Sequence, residues 1–125
     1  MNRMKRILVA DDDPECRSLL RDFLQERGYE VLLANDGAEL YRMVPEVMPD
    51  LIVSDLDMPG LSGGTAQALL RISDKTKNIP ILFVTGQSKD RQEHLVEFRP
   101  DTRILYKPLD LRELGFAVEE ALGLA

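Results

Sequence analysis

A chain of 125 residues is long enough for one hydrophobic core but too short for a second domain of ordinary size, so we expect a single domain over residues 1–125. Its 22 acidic and 16 basic residues give a formal net charge of −6, which argues against direct binding to nucleic acid or to an anionic membrane. The single cysteine excludes an internal disulfide, and no apolar run approaches membrane-spanning length, so we expect a cytoplasmic protein in a reducing compartment.

Five short apolar runs predict β-strands. Most are apolar at consecutive positions rather than at alternate ones, which is typical of parallel strands covered on both faces. The predicted strands are residues 6–10, 29–34, 51–54, 81–85 and 102–106.

Amphipathic segments between the strands predict helices. In the first, Asp13 is the expected N-cap, Pro14 takes the first helical position and Gly28 ends the helix. The second begins near Gly37 and is expected to end or kink at Pro45. The apolar positions of the first helix are Cys16, Leu19, Leu20, Phe23 and Leu24.

Three further helices complete the pattern. One follows Gly63 and Gly64, one is capped by Ser88, and the last is capped by Asp110. Their expected apolar residues are Leu69, Leu70 and Ile72, then Leu95, Val96 and Phe98, then Leu111, Leu114, Val118 and Leu122. The alternation predicts an α/β fold of the (βα)5 type, with a doubly wound, five-stranded parallel sheet.

Polar residues follow four of the predicted strands. In doubly wound sheets the ligand site lies at the carboxyl ends of the strands. Adjacent carboxylates repel each other unless a cation lies between them, and Mg²⁺ or Mn²⁺ prefers such oxygen ligands. A hydroxyl and an ammonium suit the oxygens of a phosphoryl group. Singly, such residues are turn formers or caps, but together they predict one site: Asp11-Asp12-Asp13, Asp55, Thr85-Gly86 and Lys107-Pro108.

The chain resembles the receiver domain of two-component response regulators over essentially its whole length. Residues 7–14, residues 49–60, Thr85-Gly86 and Lys107-Pro108 carry the resemblance, in family order and at family-like separations. The resemblance implies one receiver domain with strand order 2-1-3-4-5, which places the first and third strands side by side. It also implies a phosphoryl-accepting role in signal transduction.

The resemblance implies a role for each site residue. Asp55 would accept a phosphoryl group from a histidine kinase or histidine phosphotransfer protein. Asp11 and Asp12 would bind Mg²⁺ together with Asp55 and the backbone carbonyl of Asp57. Such a protein catalyses only its own phosphotransfer and dephosphorylation, so we expect no further enzyme activity.

The remaining residues would serve the phosphoryl group and the switch. Lys107 would pair with Asp55 and then with the phosphoryl group, Thr85 would donate a hydrogen bond to it, and Gly86 would keep the approach open. Lys107-Pro108 is expected to be a cis peptide. Relatives carry an aromatic switch residue where this chain has Ile104, so we expect the 86–91 segment and the helix after Ser88 to carry the change.

The expected output surface combines the last two helices and the fifth strand. It would contact a downstream partner or output domain, or a second copy of the chain in a phosphorylation-dependent homodimer.

Two alternatives remain at this stage. Asp55 and Asp57 also resemble the nucleophile and general acid of haloacid dehalogenase-like phosphatases, but Met58-Pro59-Gly60 and the upstream acid pair argue against that class. A phosphorylation-independent interaction module is the other, and retention of Asp55 and Lys107 argues against it. The lone His94 is expected on a solvated helix face rather than in a phosphotransfer role.

Overall fold

The computed structural model describes residues 3–86, 96–97, 99–100 and 102–124. Within these residues all five predicted strands form one parallel sheet, in the order β2-β1-β3-β4-β5. The predicted fold class and strand order are therefore confirmed. The strands are β1 (Arg6–Ala10), β2 (Glu30–Ala34), β3 (Leu51–Ser54), β4 (Ile81–Thr85) and β5 (Thr102–Tyr106).

Four helices lie in the described residues: α1 (Pro14–Glu26), α2 (Gly37–Val47), α3 (Gly63–Leu70) and α4 (Leu111–Ala121). The last of them, α4, is the predicted helix after Asp110. Most of the predicted helix after Ser88 lies outside the described residues, as do His94 and the 87–91 part of the predicted switch segment. Of its expected apolar residues, Val96 is described and is buried in a core cluster. None of the helices in the described part of the chain is long and apolar enough to span a bilayer.

The sheet lies between two helical layers, because alternate strand residues point to opposite faces. Leu8, Ile52 and Phe83 belong to one core cluster with residues of α2 and α3. Ile7 and Val53 belong to a second cluster with residues of α1 and α4. This burial on both faces explains why the strands are continuously apolar in sequence.

Every described helix begins at a side chain that accepts a backbone hydrogen bond in its first turn. Asp13 caps α1 and Asp110 caps α4, as predicted. Asp36 caps α2 and Ser62 caps α3, and neither cap was predicted from the sequence. Each such cap stabilises its helix by about 1 kcal/mol.

Helix α2 was expected to end or kink at Pro45, and the expectation that it ends there is wrong. The helix continues through Val47 and ends at Met48, which has a left-handed backbone conformation with φ 48°. A proline in a helix removes a single N–H donor. Here it follows Val44, which is fully buried, so core packing holds the last turn together.

The third helix is shorter than its apolar pattern indicates. It ends at Leu70, and Ile72 is 78% exposed rather than part of an inward face. Arg71 is the C-cap, and its guanidinium donates to the carbonyls of Lys77 and Ile79, which turns the chain away from the helical path. Two further predicted inward positions, Leu19 and Leu111, are also substantially exposed.

Two glycines allow the connection between β3 and α3 to pack tightly. A Cβ atom on Gly37, at the start of α2, would overlap the backbone carbonyl of Leu61. A Cβ atom on Gly63, at the start of α3, would overlap the carbonyl oxygen of Asp55. The helix starts therefore clamp the segment that follows β3, and this segment carries Asp55.

We expect Gly37→Ala to destabilise the protein by about 2 kcal/mol, because the added methyl group meets rigid backbone. Gly115→Ala in α4 is the matched control, since its Cβ would meet only the end of the Arg27 side chain at 3.1 Å. Alanine favours a helix by up to about 1 kcal/mol over glycine, so the control should be neutral or stabilising. Urea unfolding followed by circular dichroism measures both, and equal stabilities would refute the clamp.

Candidate functional site

The ends of β1 and β3 bring the acidic residues together. The two strands are neighbours, and Ala10 pairs with Ser54 in the parallel register. The backbone N–H of Asp55 then donates to the carbonyl of Ala10 over 2.9 Å. In the sequence, α1, β2, α2 and β3 separate Asp11 from Asp55, and the strand register places the two residues at the same edge of the sheet.

The acids at this edge differ in burial. Asp11 is 1% exposed and Asp55 is 6% exposed, whereas Asp12 is exposed. One carboxylate oxygen from each of the three lies within 4.8 Å of the others. This separation suits a single ion held by all three residues.

Lys107 bridges the two buried acids. Its Nζ atom lies 3.3 Å from Oδ2 of Asp11 and 3.3 Å from Oδ2 of Asp55. Burial alone would lower the pKa of Lys107, but the carboxylates of Asp55 and Asp11 outweigh it and raise the pKa above its ordinary value. The ammonium is therefore charged throughout the physiological pH range.

The backbone around Lys107 is fixed from the neighbouring strand. The N–H of Lys107 donates to the carbonyl of Thr85 over 2.7 Å, and the Lys107-Pro108 peptide is cis, as expected. The hydrogen bond to Thr85 holds the end of β5 beside β4, and from there the ammonium of Lys107 reaches the acids at the ends of β1 and β3.

The charges of the site do not balance. The carboxylates of Asp11, Asp12 and Asp55 together with the ammonium of Lys107 leave a net charge of −2 on these four side chains. Such an excess of negative charge beside buried carboxylates is unfavourable unless a cation compensates it. The oxygen-only ligand set suits a hard divalent cation such as Mg²⁺ and contains no sulfur or imidazole for a softer metal.

Asp55 is held by further hydrogen bonds. Its Oδ1 atom accepts from the N–H of Asp57 over 3.0 Å, and its carbonyl accepts from the buried hydroxyl of Ser54 over 2.8 Å. No role for Ser54 was predicted from the sequence. A lone hydroxyl inside an otherwise apolar strand was the available signal.

The predicted switch residues lie along β4 and β5. Thr85 is buried at the end of β4, and the surroundings of Gly86 are open, since a Cβ atom there would meet nothing within 4 Å. Ile104 pairs with Phe83 and packs against the same core cluster. Tyr106 pairs with Thr85, so strand alternation places Ile104, Thr85 and Tyr106 on one face of the sheet.

Two residues of α1 also reach this site. Cys16 is half-buried, and burial together with a hydrogen bond to Asp11 raises the pKa of its thiol to about 12. The thiol is therefore neutral and unreactive at pH 7. Arg17 donates from Nη1 to the carbonyl of Asp11 over 2.7 Å. Helical periodicity alone identified Cys16 as a core position and gave no signal for Arg17.

Comparison with known proteins agrees with this geometry. The family model described as the response regulator receiver domain matches residues 7–119. The response regulator receiver protein CpdR of Brucella abortus is 31% identical over 119 residues, which cover 95% of this chain and 98% of that protein. The structure of the response regulator TrrA of Thermotoga maritima, in complex with Mg²⁺-BeF, is 32% identical with a TM-score of 0.79, and the match covers 95% of this chain and 100% of that one.

Other relatives are much longer than this chain. The autoinducer sensor kinase/phosphatase CqsS of Vibrio cholerae is 36% identical over 107 residues, which are 85% of this chain but only 16% of that protein. A match of the same kind covers 46% of the transcriptional regulator RpaA of Synechocystis. The domain thus occurs within both sensor kinases and transcriptional regulators. Because the family model matches residues 7–119, the chain belongs to the response regulator receiver domain family. The role of this family is to accept phosphoryl groups in signal transduction.

Proposed function

We propose that Asp55 is the phosphoryl acceptor of this receiver and that residues 1–125 act as a single receiver domain. The observation that carries the assignment is the bridge from Lys107 to Asp55, since it joins a buried carboxylate nucleophile to a fixed cation. Asp11 and Asp12 lie beside this pair, where their oxygens complete a divalent-cation site with Asp55. The backbone carbonyl of Asp57 is the proposed further ligand.

The chemistry follows from these positions. A carboxylate oxygen of Asp55 attacks the phosphorus atom of a phosphohistidine, the P–N bond breaks, and the released imidazole takes up a proton. Lys107 stays paired with the developing negative charge, and the Thr85 hydroxyl donates to a phosphoryl oxygen. A bound Mg²⁺, or Mn²⁺, supplies the charge neutralisation that lets two anions approach each other.

The proposed donor is a histidine kinase or a histidine phosphotransfer protein, and the output is a partner protein, a linked domain or a phosphorylation-dependent homodimer. Relatives named as sensor kinases and transcriptional regulators support both ends of this pathway. We propose a cytoplasmic location, with no direct binding to nucleic acid or membrane. The catalysis is limited to the transfer onto the chain itself and the later loss of the phosphoryl group.

The phosphatase alternative is not favoured. It needs the carboxyl group of Asp57 as a general acid close to Asp55. In this structure the N–H of Asp57 contacts Asp55 and the residue is exposed. The family match also covers the strand-end acids and Lys107 as one receiver module.

Acetyl phosphate with Mg²⁺ should add one phosphoryl group to the wild-type chain and none to Asp55→Asn, because the amide cannot act as the nucleophile. Asp57→Asn is the matched control, since it changes an exposed carboxyl group two residues away and leaves the backbone carbonyl in place. It should be modified like the wild type. Intact-mass spectrometry distinguishes the cases, and modification of Asp55→Asn would refute the acceptor assignment.

Asp12→Asn should weaken Mg²⁺-dependent phosphorylation at least about tenfold, because it removes a charged ligand from the proposed site. Without metal the same change should leave the melting temperature equal or higher, since it reduces repulsion among the acids. Asp13→Asn is the control: it removes the neighbouring charge, and asparagine still caps α1. Titration of the phosphorylation rate with MgCl₂, together with melts in chelator, gives both quantities. A strongly destabilised Asp12→Asn would indicate a structural role instead.

Lys107→Met should abolish rapid phosphorylation and also destabilise the metal-free protein by about 1–3 kcal/mol, because two buried carboxylates lose their common partner. The effect on stability arises because Asp11 and Asp55 are buried. Excess Mg²⁺ should restore part of the loss.

Because the pKa of Lys107 is raised, the contribution of Lys107 to stability is complete below about pH 10 and is lost only as pH rises through the higher folded-state pKa. Urea unfolding between pH 6 and 9 should therefore show a constant difference from wild type; a difference that vanishes at pH 8 would contradict the assignment.

A further inference from the structure

We propose that Arg17 is a positioning residue for the metal-binding acids, acting through the backbone of Asp11. This inference rests on the proposed function, because it concerns the proposed cation site. Its basis is the 2.7 Å hydrogen bond from Nη1 of Arg17, in the second turn of α1, to the carbonyl oxygen of Asp11. Among the described contacts, no hydrogen bond or ion pair joins Arg17 to the proposed acceptor Asp55.

The carbonyl of Asp11 lies where the backbone leaves the sheet. The N–H of Asp11 still donates to Ala34 on β2, and the carbonyl of Ala10 still accepts from Asp55 on β3. Asp11 itself follows the last residue of β1, and it is almost completely buried. A buried carbonyl without a donor is costly, and a charged donor makes one of the stronger hydrogen bonds available to it. Arg17 therefore supplies the donor that the sheet no longer provides.

Each oxygen of Asp11 is held by a different group. The carbonyl accepts from Arg17, Oδ1 accepts from the N–H of Asp13 over 2.9 Å, and Oδ2 accepts from Lys107 over 3.3 Å. Two of these donors belong to the chain segment that runs from Asp11 into α1. If the carbonyl is released, the peptide that connects Asp11 to Asp12 loses its side-chain restraint. The carboxylate of Asp11 keeps its contacts with Asp13 and Lys107, but the backbone that sets the direction of the Asp12 carboxylate is less well fixed.

An electrostatic role and a positioning role of Arg17 predict opposite changes in Mg²⁺ affinity when Arg17 is removed. Its positive charge near a cation site repels the cation, so a purely electrostatic role means that loss of Arg17 strengthens Mg²⁺ binding. A positioning role means that loss of Arg17 weakens binding, because the ligands must be ordered again when the ion arrives. The sign of the change in affinity therefore separates the two roles.

The test is a titration of the metal-free protein with MgCl₂, followed by the backbone amide signals of Asp11, Asp12 and Asp13 in NMR spectra. Arg17→Met removes the donor and keeps an unbranched apolar stem. We expect its Mg²⁺ affinity to fall about tenfold. Arg21→Met is the matched control, because Arg21 lies one turn further along α1, has a partly exposed side chain and pairs with Asp22. It should bind Mg²⁺ within about twofold of wild type, since its charge is screened by solvent.

Two further measurements test whether Arg17 positions the acids. Without metal, the amide of Asp13 should shift in Arg17→Met and not in Arg21→Met, because it reports on Oδ1 of Asp11. Arg17→Lys keeps the charge but loses the planar guanidinium, so its affinity should fall about threefold, and this variant serves if the methionine variant does not fold. Affinity equal to or tighter than wild type in Arg17→Met, or in Arg17→Lys if only that variant folds, would overturn the proposal.

Failure of the role proposed for Arg17 can be distinguished from failure of the phosphoryl-acceptor role proposed for Asp55. Mg²⁺ binding is measured without any phosphoryl donor, so it does not depend on Asp55 being the acceptor. If the wild type binds Mg²⁺ but Asp55 is not modified by acetyl phosphate, the acceptor assignment fails while the role of Arg17 is still decided by the titration. If Asp55 is modified and Arg17→Met binds Mg²⁺ normally, only the positioning role fails.

Discussion

The contact on which the site depends is the shared ammonium of Lys107 between Asp11 and Asp55. It joins the ends of three strands, β1, β3 and β5, that are distant in sequence. Two buried carboxylates this close to each other are tolerated because one fixed cation lies between them. The core clusters on both faces of the sheet hold these strand ends in place, so the packing of the whole domain determines the geometry of the site.

The sequence predicted the strands well, and also the meeting of Asp11, Asp12, Asp55 and Lys107 at one edge of the sheet, because both arise from the same pattern. A continuously apolar run marks a buried parallel strand, and the polar residue that follows it, such as Asp55, must lie at the carboxyl edge. The errors occur where tertiary packing overrides a local preference. Val44 holds the last turn of α2 despite Pro45, and the hydrogen bonds from Arg71 end α3 before Ile72.

Other features could not be predicted because their signal is not local. Nothing adjacent to Gly37 indicates that its Cα lies against the backbone of Leu61, and nothing near Arg17 indicates that its guanidinium reaches back to Asp11. These contacts join segments whose separation is set by the sheet and by helix packing. They nevertheless fix the direction of the acids, so the precision of the site depends on residues that carry no recognisable motif.

If Asp55 is the acceptor, as proposed, the charge of the site gives a physical reason for phosphorylation to change the structure around it. The three acids and Lys107 sum to −2, which a divalent cation brings to zero. On the proposed function, phosphorylation replaces the −1 of Asp55 by about −2, leaving an excess of about −1 at a largely buried position. Hydrogen-bond donors must then move toward it. Thr85 is buried at the adjacent strand end and shares a sheet face with Ile104 and Tyr106, so its movement would be transmitted along the edge strand β5.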